Sequence, residues 1–272
     1  TSATGDVTLA GGDIADLSIT DAFNVIFAGD LGTTGDVSVS DVDGTITVDT
    51  GAEVTAAGAL AFNGTGGGAD DPVNITINGS LSGDSVTLDT QGNTILLSGN
   101  VNGDDGLVDV QDPLTLTGES ILSSDNGNVR LQGAVDGAFG LTLAAGELVD
   151  VDADIDTGSV TINGNAHLGG GRTITADTTI DVDGDLSADT TITLNALNVN
   201  LQSVGSSDNP TSLDVNATTR AQLEGGGGAF QAEHSVVRSC SCGRKIPQLR
   251  TQNVVASAKC SCGTTRSIPQ NM

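Results

Sequence analysis

A hexapeptide returns in this chain at a fixed interval: Gly79-Ser80-Leu81-Ser82-Gly83-Asp84 is followed about 20 residues later by Gly99-Asn100-Val101-Asn102-Gly103-Asp104. A unit this short cannot bury an apolar face by itself, so it has to stack on neighbours built the same way. Gly133-Ala134-Val135-Asp136-Gly137 and Gly184-Asp185-Leu186-Ser187-Ala188-Asp189 reuse the pattern less faithfully, and Ile162-Asn163-Gly164 precedes Val182-Asp183-Gly184 by the same step. Between the Gly, Asn and Asp turns lie triplets such as Val7-Thr8-Leu9, Val37-Ser38-Val39, Ile46-Thr47-Val48, Ile75-Thr76-Ile77, Val86-Thr87-Leu88, Leu114-Thr115-Leu116 and Ile192-Thr193-Leu194. Each alternates apolar and polar residues as a half-buried strand does, so the sequence predicts about two short strands per period.

Composition decides how such strands can pack. The 272 residues include 38 Gly and 5 Phe but no Trp or Tyr, so small and β-branched side chains must make the core. That argues against a sandwich, which is held by large anchors between two sheets. A parallel β-helix (β-solenoid) suits it, because each turn of chain adds a rung about 4.8 Å along the axis and buries Val, Ile, Leu and Ala against like neighbours. The apolar alternation also argues against disorder, despite a net charge of −26. The fold expected is all-β, a right-handed parallel β-helix with a short cysteine-bearing C-terminal tail.

Charge divides the chain. Residues 1–220 hold 33 of the 35 acids against three arginines, Arg130, Arg172 and Arg220, a net of −30. Residues 221–272 hold six basic residues against Glu224 and Glu233, a net of +4. Between them Gly225 to Gly228 read as a hinge. The expected organisation is a solenoid over 1–220, a Gly-rich linker over 221–230 and a basic tail over 231–272. An acidic body repels phosphate backbones and anionic membranes, which excludes nucleic acid as its partner. Self-repulsion of this size is tolerated where salt or divalent ions screen it, which points to an extracellular or cell-surface location. No apolar run approaches a transmembrane span. The chain starts at Thr1 and its single Met is Met272, so it is expected to be part of a longer polypeptide.

Segments such as Leu131-Gln132-Gly133-Ala134-Val135-Asp136-Gly137-Ala138-Phe139-Gly140-Leu141-Thr142-Leu143 and Ser159-Val160-Thr161-Ile162-Asn163-Gly164 resemble the repeats of large bacterial β-strand-repeat surface proteins, similar to filamentous-haemagglutinin-type adhesins. The resemblance covers roughly residues 5–218. It implies a right-handed β-helix on an exported polypeptide, with a structural or adhesive role toward a cell-surface glycan or protein receptor, and it carries over no catalytic residue.

Several patterns could carry chemistry. Asp150-Val151-Asp152-Ala153-Asp154-Ile155-Asp156 places acids at every second position, which along a strand would line one face; Asp181, Asp183 and Asp185 repeat the arrangement. A carbohydrate-active β-helix enzyme would use such a pair, Asp152 and Asp154 for instance, flanking a sugar bond. The competing reading is a solvated acidic face. Neighbouring like charges on stacked rungs repel by only about 1 kcal/mol in water, and lyase chemistry needs a cation that a body without Lys lacks. His167 is the sole histidine of the body and reads as a surface or rung residue. Gly66-Gly67-Gly68-Ala69-Asp70-Asp71 and Asn102-Gly103-Asp104-Asp105-Gly106 approach calcium-binding nonapeptides without matching them, so calcium screening is compatible with the chain but no dedicated motif is present. Thr-x-Thr triplets at Thr45, Thr115, Thr173 and Thr191 are too irregularly spaced for a continuous ice-binding array.

The tail alone has ligand-like spacing. Cys240-Ser241-Cys242-Gly243 and Cys260-Ser261-Cys262-Gly263 are matched knuckles, each followed by Ile-Pro, and resemble a small zinc ribbon. Four thiolates around zinc would fold a segment too short to fold by apolar burial. The usual knuckle is Cys-x-x-Cys, so two disulfides and a tail without fixed structure stay open beside zinc.

Overall fold

The computed structural model describes residues 5–63, 74–205, 212–223, 230–233 and 249–252. Described residues form strands and turns with no helix, and every strand pairing between coils is parallel. One coil contains three strands, as in Val25–Phe27, Leu31–Thr33 and Val37–Val39, which correct the expected two. The three strands lie on three faces, here A, B and C. On face A, Val25–Phe27 pairs with Val7–Leu9 below and Thr45–Val48 above. Leu31–Thr33 on face B and Val37–Val39 on face C pair in the same way. The third strand was hidden in the sequence because three-residue strands such as Gly12–Ile14 and Leu31–Thr33 contain Gly and show little alternation.

Register produces long inward rows. On face A, Val25, Ile46, Ile75, Ile95, Leu114, Val135 and Ile155 stand in successive coils. On face B the row is Leu31, Val54, Leu81, Val101, Leu122, Leu143, Ile162, Val182 and Leu201. On face C it includes Val37, Leu60, Val86, Val108, Val129, Val149, Ala166 and Leu186. Nearly all are wholly buried. About ten coils stack in this way, a rod on the order of 50 Å long at about 4.8 Å per coil. Each buried aliphatic contributes about 1.5–3 kcal/mol, so many medium side chains replace a few large anchors. Phe27 and Phe62 are the exception, with ring centroids 5.3 Å apart and planes 21° from parallel.

The corners give several Asp and Asn residues a structural role. At six corners an Asx residue stands immediately before the first inward residue of a strand, and its side-chain oxygen accepts the N–H of the equivalent residue one coil on. The pairs are Asp16 with Asp36 (3.1 Å), Asn24 with Thr45 (2.9 Å), Asp30 with Glu53 (3.1 Å), Asp36 with Ala59 (2.9 Å), Asp154 with Thr173 (2.8 Å) and Asn165 with Asp185 (3.1 Å). A corner N–H points along the axis just where the strand ladder begins, and a short side chain from the coil below reaches it. Each bond stabilises the stack by about 1 kcal/mol. Asp16, Asp30, Asp36 and Asp154 are thus acids with a structural task.

The strand Ser212–Leu223 pairs with Thr191–Val204, and the backbone of Phe230–Glu233 and Leu249–Gln252 continues the parallel stack on face A.

Candidate functional site

Two groupings of polar side chains stand out from the threonine- and serine-bearing outer surface. The first is an outward row on face C, where register brings Asp109, Arg130, Asp150, His167 and Ser187 one above the other in successive coils. The Arg130 guanidinium lies 3.7 Å from Asp150 through Nε and 3.3 Å from Asp152 through Nη2. Asp109 accepts hydrogen bonds from Gln132 Nε2 (2.8 Å) and Gln111 Nε2 (2.9 Å). His167 Nε2 lies 3.5 Å from Asp189, and Nδ1 is 3.2 Å from Ser187 Oγ. Burial, followed by the negative charge of Asp152, holds the Asp150 carboxyl above its ordinary range against the opposing influence of His167 and Arg130.

The Asp-His-Ser juxtaposition invites comparison with a nucleophilic triad, but its hydroxyl has a second acceptor and is enclosed. Ser187 Oγ lies 3.0 Å from the Ala166 carbonyl and 3.2 Å from His167 Nδ1, so the carbonyl competes with the imidazole for its one proton. A nucleophile needs its O–H directed at the base. Ser187 is also only 6% exposed. Within this row the Arg130 guanidinium offsets Asp150 and the adjacent Asp152 in a region of otherwise strongly negative charge.

The acidic run does not line one face. Asp150 sits on the face C strand Val149–Val151, the chain turns at Ala153, and Asp156 lies on the face A strand Ile155–Asn163. Asp152 faces Arg130, and Asp154 accepts the Thr173 N–H, so both members of the supposed pair have structural partners. The strand alternation assumed for the run breaks down because a corner intervenes. Asp181 and Asp183 do share face B, whereas Asp185 falls beyond a register shift and pairs on face C with Ser203.

The second grouping was not anticipated. On face B, Asp181 is register-aligned with Asn200, and Asn200 with Gln222; Asn198 is aligned with Arg220. Asp181, Asp183, Asn200, Gln202, Arg220 and Gln222 line an open concavity of about 260 Å³. Register shifts between Val182 and Asp185 and between Ala196 and Asn198 flank this patch, and such bulges re-aim side chains. Asn200 Oδ1 is buried without a protein donor. The sequence marked Asp181 and Asp183 as an acidic alternation and left Asn200, Gln202, Arg220 and Gln222 as isolated polar residues; the signal that unites them is a register set by bulges, which periodicity does not reveal.

Among the described residues no three His, Cys, Asp or Glu side chains are grouped to hold a metal, and no helix is long and apolar enough to cross a membrane. Cys240, Cys242, Cys260 and Cys262 lie outside the described residues. Face A interrupts its threonines as expected: Thr47 and Thr76 are adjacent, but Leu96 follows, and Asp136 and Asp156 succeed Thr115. No family model, curated protein or solved structure matches this chain.

Proposed function

We propose that the chain is a stiff, acidic spacer with adhesive faces, a segment of an exported surface polypeptide that meets a glycan or protein receptor and catalyses no reaction. The observation that carries this reading is the unbroken run of inward rows through about ten coils. A stack whose backbone hydrogen bonds run along its length resists bending, and three flat polar faces offer extended stripes for contact. The net −30 of residues 1–220 suits a screened, saline exterior. The engagement of Asp152 and Asp154 in structural contacts favours this reading over hydrolysis by that pair. For the tail, the Cys-x-Cys-Gly spacing supports zinc held by Cys240, Cys242, Cys260 and Cys262.

The test is exposure on intact source cells. Antibodies raised against residues 5–223 should label unlysed cells, and external protease should remove the signal. Labelling that appears only after lysis would overturn the proposal.

A further inference from the structure

We propose that the face B concavity lined by Asp181, Asp183, Asn200, Gln202, Arg220 and Gln222 is a binding subsite for a neutral, hydroxyl-rich glycan chain. The inference rests on the adhesive part of the function proposed above and gives it a place and a ligand chemistry.

The lining mixes carboxylate acceptors, amides that both donate and accept, and one guanidinium donor. A sugar hydroxyl donates once and accepts from others, so it can satisfy such a mixed set with vicinal pairs on one side chain. Register spaces these groups about 4.8 Å apart along the axis and about 6.6 Å apart along each strand, a lattice that an extended chain of rings can follow. Val182 and Leu201 are only 1% exposed and direct their side chains to the core, so recognition falls to polar groups.

Charge and topology exclude other ligands. Arg220 offsets only one of the two acids, and the surrounding body is strongly negative, so an anionic polysaccharide is repelled. An extended peptide recognises a sheet by adding to a free edge; the backbone beneath Asp181, Asn200 and Gln202 is paired between coils, and among the described residues only the outer strand at Arg220 and Gln222 has no strand paired beyond it. Apolar pockets for peptide side chains are missing from the lining.

The experiment is calorimetric and NMR titration of the full chain with neutral hexasaccharides of glucose, galactose and mannose, with oligogalacturonate and oligolysine in parallel. At least one neutral hexasaccharide should bind saturably with a millimolar dissociation constant and perturb amides of residues 180–202. Asp183→Asn and Gln202→Ala, both outward substitutions, should each weaken it about fivefold or more with circular dichroism and thermal unfolding unchanged. Asp84→Asn, at a corner in a distant coil, should leave it unaltered. If either site variant misfolds, the other decides. Absence of saturable binding by all three neutral sugars, preferential binding of oligogalacturonate or oligolysine, or shortening of a bound sugar would each overturn the proposal. Such a failure would leave the surface-exposure result intact, so the two readings fail separately.

Discussion

A single methyl group at Gly99 should separate two coils. An alanine Cβ built there would lie 1.6 Å from the carbonyl oxygen of Gly79 and 2.8 Å from its carbonyl carbon. Ordinary contact requires about 3.5 Å, so the local gap must widen by nearly 2 Å on a coil spacing of about 4.8 Å. The obstruction is backbone on both sides, with no flexible side chain to swing away. Flanking bonds such as Ser98 N–H to Ile77 C=O, at 2.9 Å, would stretch with it. Over-packing costs about 1–3 kcal/mol, and the loss of an interstrand bond adds about 1, so Gly99→Ala should destabilise by about 2–4 kcal/mol. Gly170→Ala is the control, since its Cβ would meet nothing within 4 Å and Gly170 has no positive φ; it should be neutral or slightly stabilising. Urea unfolding gives both numbers, and hydrogen exchange gives their location, because coils interact chiefly with nearest neighbours. Protection should fall around 77–103 and hold at 174–204. Equal stability of the two variants, or a uniform rise in exchange, would refute the reasoning.

Three further outcomes follow from the corners, the face C row and the tail. Asp36→Ala should lose about 1 kcal/mol by urea denaturation through the missing bond to Ala59 N–H, while Asp36→Asn, which keeps the acceptor, should stay within about 0.5 kcal/mol of the parent. Asp150 binds its proton more tightly when folded, so its contribution is present below the ordinary carboxylate range and is lost as pH rises through its raised value. The stability of Asp150→Asn relative to the parent should therefore climb with pH across that window; a flat or falling difference in urea midpoints would contradict the assignment. Zinc added to the full chain should bind one ion per chain, measured by metal analysis after dialysis, and Cys242→Ser should abolish it.

Periodicity exposed the solenoid because the inward rows demand Val, Ile or Leu at intervals near 20, and Ile75, Ile95, Leu114 and Val135 supply them. It missed one strand in three because a three-residue strand carries only one or two inward side chains, as in Gly12–Ile14. Acid runs misled for a related reason. Alternation predicts a shared face only while the chain stays extended, and the corner at Ala153 sends Asp150 and Asp156 to different faces. The polar concavity was the least legible element. Asp181, Asn200 and Gln222 come together through pairings offset by bulges, so equal spacing in sequence did not mark them. Corner Asx residues, by contrast, have a readable signature once the coil is known: Asp or Asn just before the first inward residue, as at Asn24-Val25, Asp30-Leu31 and Asp36-Val37.

Spin-label distances along face A test the coil itself. The body has no cysteine before Cys240, so with the tail cysteines changed to serine, labels can be placed at will. Thr47 stands five coils from Asp156 and seven from Asn195 through consecutive register pairs. Pulsed electron resonance should give label separations near 24 Å and 34 Å, growing by about 4.8 Å per coil. Separations that are equal, or that shrink as sequence distance grows, would contradict a stack of three-stranded coils.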